Sequence, residues 1–293
     1  PTPGDRAPVA PGPAGTAVGA PSLGLRAAPL PIDPDDPTAV RWSVAVPMGL
    51  DGPPGVLQGG LVAALLLALA RRADPFDAPL HALEVRLAAP TRTGVVAEVR
   101  TRPGDAGVHA AELRAGGVVA ATGTVDLTGA DPISASDLAA LAGGPLPPPR
   151  PSPRYPTCFA CGPDATHPAA LHAPPGWVTD EAVLLGWVPD PDLADPVRPD
   201  RVDVAAVAAL LACAGAWATF RPVVAAGAVA VLLGTFRLRL AGPVEPLDPV
   251  RVAARLDALD GRRARARAAL VDTDGRMLAL SDATYVAVDE LPG

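Results

Sequence analysis

The chain has 293 residues, enough for two domains of ordinary size, each able to bury its own core. Hydrophobic residues make up 49% and charged residues 19%, which excludes a wholly disordered chain, and aromatics at 3% leave the core to Ala, Val and Leu. A net charge of −7, with no basic stripe interleaved by aromatics, argues against a nucleic-acid partner.

Residues 1–36 are rich in Pro, Gly and Ala without periodicity and are expected to form a disordered or loosely draped tail. Prolines stand where a secretory signal needs an apolar core, so no such signal is read here. A first domain is expected over residues 37–130. It opens with a strand from Ala39 to Val46, followed by the turn Asp51-Gly52-Pro53-Pro54-Gly55. Gly59-Gly60 then starts an apolar helix from Leu61 to about Ala73, stopped by Asp74-Pro75. Its most apolar run, Leu61 to Ala70, falls short of the roughly 20 residues a bilayer span needs, so no membrane span is expected. Strands follow over Leu80–Ala89, Val95–Thr101, Val108–Ala115 and Val118–Leu127, with Gly116-Gly117 turning the last pair as a hairpin.

Residues 131–156 form a short helix and a Pro-rich linker, the helix lying over Ile133–Leu141. The second domain, 157–293, repeats the order of the first. Ala182–Val188 is a strand, and Asp200 is expected to cap a helix running to about Ala218. Strands are then predicted over Val229–Leu240, Val250–Ala258, Arg263–Val271 and Met277–Val288, the last two joined by the hairpin turn Asp272-Thr273-Asp274-Gly275. A weak internal echo supports duplication: Leu83-Glu84-Val85-Arg86-Leu87-Ala88-Ala89-Pro90 recurs as Phe236-Arg237-Leu238-Arg239-Leu240-Ala241-Gly242-Pro243. The two prolines lie 243 − 90 = 153 positions apart, too far for a solenoid repeat and right for a doubled domain. One helix followed by consecutive antiparallel strands, twice over, defines an α+β class.

This order resembles the hotdog fold, a long antiparallel sheet wrapped around a central helix. The first half is similar to the N-terminal part of double-hotdog acyl-CoA thioesterase-like proteins through Gln58-Gly59-Gly60-Leu61-Val62-Ala63-Ala64-Leu65 and Val85-Arg86-Leu87-Ala88-Ala89-Pro90. The second half resembles members of that superfamily that open with Cys-Phe-x-Cys-Gly-Pro-Asp, here Cys158-Phe159-Ala160-Cys161-Gly162-Pro163-Asp164. Some of those relatives carry a central helix similar to Leu210-Leu211-Ala212-Cys213-Ala214-Gly215-Ala216-Trp217-Ala218. The resemblance implies a tandem double hotdog that recognises an acyl thioester of coenzyme A or of a carrier protein at a site between the two units. Such a protein acts alone or assembles further as a homo-oligomer.

Thioester hydrolysis needs a polarised carbonyl and an activated water or nucleophile. Gly59 and Gly60 offer free amides at the positive end of a helix, suited to an oxyanion, and equally suited to close packing. Relatives place His before the glycine pair and Asp or Glu within the helix. Here Gln58 precedes the pair, Leu61 to Ala70 has no carboxylate, and Ala212 stands at the Asp position of the second helix. An amide cannot act as a general base at neutral pH, so Gln58 is left to orient water or bind the carbonyl. Asp203 is the fallback base, with stabilisation of the helix dipole as its plainer role. A catalytically inactive acyl-CoA-binding or scaffold protein is therefore the alternative to a hydrolase. A hotdog hydratase ranks last, because no His lies near either helix start.

Trp217 is a candidate for the acyl pocket beside Trp177 and Trp187, all three also suiting core packing. Arg263 and Arg265, sharing a strand face with Arg267, either meet an anionic group such as coenzyme phosphates or simply face solvent. Cys158 and Cys161, with His167 and His172 after them, raise the question of zinc, but the cramped spacing favours a structural turn; no metal and no cofactor are expected. Cys213, in an alanine-rich helix, reads as a small hydrophobe. His81 and His109 fall on strands as surface or interface residues. Three cysteines make no disulfide framework, which fits a cytoplasmic protein.

Overall fold

The computed structural model describes residues 16–17, 21–73, 82–104, 107–127, 133–150 and 155–291. The expected helix stop at Asp74-Pro75 and His81 lie outside the described residues. In chain order the elements are β1 (Thr16–Ala17), β2 (Arg26–Pro29), β3 (Val40–Ala45), α1 (Gly59–Ala73), β4 (Ala82–Leu87), β5 (Val96–Pro103), β6 (Val108–Ala115) and β7 (Val118–Asp126). Then come α2 (Ser136–Ala142), β8 (Gly176–Thr179), β9 (Ala182–Trp187), α3 (Val204–Ala225), β10 (Ala230–Leu240), β11 (Val250–Asp260), β12 (Arg263–Val271) and β13 (Met277–Val288).

The strands join one antiparallel sheet in the order β1-β2-β3-β5-β6-β7-β4-β10-β13-β12-β11-β9-β8. Read outward from the middle, β4-β7-β6-β5-β3 on one side matches β10-β13-β12-β11-β9 on the other. In each half a strand precedes the helix, and the strand after the helix lies at the junction. The central pair is β4 with β10, which are the two copies of the internal echo, with Phe236 opposite Val85 and Leu238 opposite Leu83. All four of these side chains are buried, so the alternation that marked the echo is the alternation of a shared core.

α1 packs on β4–β7, and α3 packs on β9–β13. The two helices also touch each other, which buries α3 on nearly all sides and explains its alanine-rich composition. α3 is long and apolar enough to cross a membrane by length and composition, with mean hydropathy 1.6, yet 78% of that stretch is buried within the protein. α2 covers the opposite sheet face, where Leu138 and Ala142 meet Leu184, Ala253, Ala269 and Val271. Arg251 fastens it by donating to the carbonyls of Ala142 (2.8 Å) and Gly144 (2.6 Å), acceptors left over at the helix end.

Two expectations need correction. The tail does not stay free through residue 36: β2 pairs with β3 along Arg26–Pro29, and Leu23, Leu25 and Ala27 are buried, so apolar burial outweighs the Pro/Gly-rich composition there. The helix of the second half starts at Val204, not after Asp200. Its cap is Asp203, whose Oδ1 accepts from the Ala205 amide at 2.7 Å, while Asp200 is exposed and lies 3.7 Å from Arg201. That helix also runs on past Ala218 to Ala225, with Pro222 in its last turn.

Candidate functional site

α1 begins where the two halves meet. Gln58 caps it: its Oε1 accepts from the Leu61 amide at 3.0 Å, and its Nε2 donates to the carbonyl of Ala209 in α3 at 3.0 Å. One buried amide thus satisfies the end of one helix and holds the other. A Cβ on Gly60 would lie 2.3 Å from the Ala208 oxygen, so the helices touch backbone to backbone there. A Cβ on Gly59 would meet Leu233 Cδ2 at 2.7 Å. The amides of Gly59 and Gly60 precede the first intrahelical bonds, and among the described residues neither has a hydrogen-bond partner.

Beside Gly59 a cavity of about 80 Å³ opens, walled by Gln58, Cys158, Cys213, Trp217 and Tyr285. It has room for a few water-sized groups. Among the described residues that line it, none is Asp, Glu or His. The Tyr285 hydroxyl donates to the Ala212 carbonyl at 2.7 Å, and Gly215 gives the ring space, since a Cβ there would fall 2.4 Å from that hydroxyl. Burial, aided by the neighbouring Cys213, pushes the phenol far above its ordinary range, so it stays protonated. At the rim, Tyr155 exchanges hydrogen bonds with the backbone of Val231 (3.2 and 3.4 Å) and meets Phe220 edge-on.

Three sulfurs converge on the same wall. The Sγ atoms of Cys158, Cys161 and Cys213 lie within 4.8 Å of one another, and all three residues are buried and free of disulfides. The Trp217 indole N–H donates to Cys161 Sγ at 3.2 Å. Gly162 closes the turn, because a Cβ there would fall 2.4 Å from the Pro156 oxygen and 2.5 Å from the Cys158 nitrogen. Hydrogen bonds from Cys161 and Cys213 hold the Cys158 thiol well below its ordinary value, while bonds to Cys158 and Cys161, with burial, push the Cys213 thiol up.

The histidines expected near these cysteines are elsewhere. His167 Nδ1 accepts from the Ala169 amide at 3.2 Å, its ring packs edge-on against Phe159, and burial lowers its pKa. His172 is exposed in the left-handed region, at φ 43°. Cys213 stands with the pair instead, a partner that its helical surroundings concealed.

Asp203 is committed to its cap and borders a different hollow, with Arg71 and Arg72, so the fold does not bring it to Gln58. Arg263 and Arg265 are exposed on β12, while the inward Ala264, Ala266 and Ala268 are buried, as alternation predicts. Arg267, on the same outer face, is held by Asp257 (2.7 Å) and Asp137 (3.0 Å). Trp217 lines the cavity and packs at a 57° tilt against Trp177, with ring centres 4.6 Å apart, and Trp177 in turn carries the Arg221 guanidinium 4.1 Å from its ring centre; Trp187 is a buried core residue. His109 is buried on the inner face of β6 beside Ala111 and Leu113. Tyr285 and Asp51 were not anticipated. Asp51 is buried, and its carboxylate accepts from Thr93 at 2.8 Å, just ahead of the loop that reaches the cavity at Gly52.

No protein-family model matches the chain, and no curated protein matches it in sequence. Solved structures do. The dehydratase domain of PpsC from Mycobacterium tuberculosis, in complex with C12:1-CoA, superposes with a TM-score of 0.62 at 16% identity, covering 92% of this chain and 100% of that one. The acyl-CoA thioesterase II TesB2 from Mycobacterium marinum gives 0.57 at 16% identity, covering 93% and 96%. A conserved protein of unknown function with hot dog fold from Alicyclobacillus acidocaldarius gives 0.56 at 18% identity, covering 91% and 97%. The chain has the hotdog fold.

Proposed function

We propose that the protein is a tandem double hotdog that recognises an acyl thioester, of coenzyme A or a carrier protein, in the cavity between its halves. The observation that carries this reading is the unpartnered Gly59 amide, at the start of α1 and on the cavity wall. A thioester carbonyl placed there accepts from the amide at the positive end of the helix, and Gly60 adds a second free N–H one residue on. The apolar wall of Trp217, Phe220 and Val231 suits the acyl portion. Thioesterase and acyl-CoA-binding dehydratase structures among the similar folds support the same substrate class.

Binding without turnover is the second reading, and one observation favours it: among the described residues the cavity has no carboxylate or imidazole to activate water. Gln58, on the cavity wall, already uses both ends of its amide. Release of free thiol from short, medium, long and aromatic acyl-CoAs, run beside calorimetric titration with the same compounds, separates the readings. Turnover supports a hydrolase, saturable heat without turnover supports a binding protein, and neither refutes acyl-thioester recognition.

A further inference from the structure

We propose that Cys158, Cys161 and Cys213 form a three-thiolate site for a zinc ion whose fourth coordination position opens on the cavity.

The two parts of the site come from separate pieces of chain. Cys158 and Cys161 sit on a tight Cys-x-x-Cys-Gly turn, and Cys213 sits in the middle of α3. The three sulfurs converge within 4.8 Å. Three thiolates on one tetrahedral zinc, at about 2.3 Å each, stand roughly 3.8 Å apart, so small rotamer adjustments complete the set.

The surroundings are those of a thiolate site. The Trp217 indole, which can only donate, aims its N–H at Cys161 Sγ. Outer hydrogen bonds of this kind orient sulfur ligands and disperse their charge. All three cysteines line the cavity, so the fourth position has room for a water or another small ligand, the arrangement of an open zinc site.

Charge selects among thiophilic ions. Three thiolates on Zn²⁺ leave one net negative charge, whereas Cu⁺ leaves two. Among the described residues no Arg lines the cavity, and the Trp217 N–H faces Cys161 Sγ, so the smaller residual charge is the one this pocket can bury. Zinc uptake by the three thiols releases three protons, and no oxidant or reductant is involved.

The test uses the full chain, purified under reducing conditions and titrated with Zn²⁺ and then Co²⁺ as a spectroscopic substitute. The expected result is one ion per chain and an intense thiolate-to-cobalt charge-transfer band with the visible bands of a tetrahedral site. Cys213→Ala should weaken zinc binding at least tenfold, and Trp217→Phe should keep the stoichiometry while shifting the charge-transfer band. The wild-type cobalt spectrum decides the matter even where a variant misfolds. The proposal is overturned by a folded, reduced chain that binds no zinc, by a chain two hydrogens lighter (a disulfide), by uptake of Cu⁺ alone, or by zinc binding that Cys213→Ala leaves intact.

Discussion

Glu84 of β4 and Arg237 of β10 face each other across the middle of the sheet, and they are the same position of the internal echo. The residues on either side obey the same relation, since Leu83 pairs with Leu238 and Val85 with Phe236. Equivalent positions facing each other in an antiparallel pair are what a two-fold axis between the halves requires.

The exposed Glu84–Arg237 pair should contribute little, and the buried pair beside it much. Glu84→Arg sets like charges opposite each other and should cost about 0.5 kcal/mol, largely recovered by the double swap with Arg237→Glu. Leu238→Ala should cost about 3 kcal/mol by opening a void at the junction. Urea unfolding of the four chains checks the ranking, and an equal loss from both sites would contradict it.

Gly60→Ala should destabilise the protein by about 2 kcal/mol, because the new methyl meets backbone, the Ala208 carbonyl. Gly59→Ala should cost less, since the Leu233 side chain can move aside. Denaturant midpoints compare them directly. It follows that loss of activity in a Gly60→Val variant reports helix separation as much as an oxyanion site.

Replacing Asp203 by Ala should lower stability by about 1 kcal/mol through loss of the α3 cap, and Asp203→Asn should retain most of it. Asp200→Ala should be neutral, as that side chain is exposed. If Asp203→Ala removes thioester turnover from a chain whose melting temperature is unchanged, Asp203 acts as the base and not as a cap.

His167 sets a limit at mildly acidic pH. Burial lowers its pKa in the folded state below the ordinary 6.5, so the unfolded chain binds the proton first. Its contribution is complete above pH 6.5 and drains away as the pH falls from there through the folded-state value. His167→Gln should therefore flatten the acid side of the stability profile in thermal melts from pH 7 to 5, and an unchanged slope would exclude this residue as the cause.

Much of the sheet was legible in the sequence because alternation survives on half-buried strands. The bounds of β6, β12 and β13 are those that the pattern of apolar residues predicts. β2 was not legible, because Arg26-Ala27-Ala28-Pro29 carries no β-branched or aromatic residue and sits in a Pro-rich stretch; only its pairing with β3 makes it a strand. At the start of α3 the sequence pointed to Asp200 as the cap, whereas Asp203, directly before the apolar run, is the residue that caps it. Gln58 and Gly59, singled out in the sequence, lie together on the cavity wall. The third cysteine was not legible, because it lies 213 − 161 = 52 positions from the Cys-x-x-Cys turn on a helix of alanines, and its sulfur meets the pair only when α3 packs.

Calorimetric titration with acyl-CoAs of graded chain length, wild type against Ala216→Phe, tests the assignment of the cavity most directly. Ala216 is half-buried on the cavity wall, so a phenyl ring there fills the space without breaking a hydrogen bond. Saturable binding by the wild type, weakened at least tenfold in a variant with an unchanged circular dichroism spectrum, is the predicted result. Equal affinity in the two chains, or no binding by the wild type across the series, would contradict it.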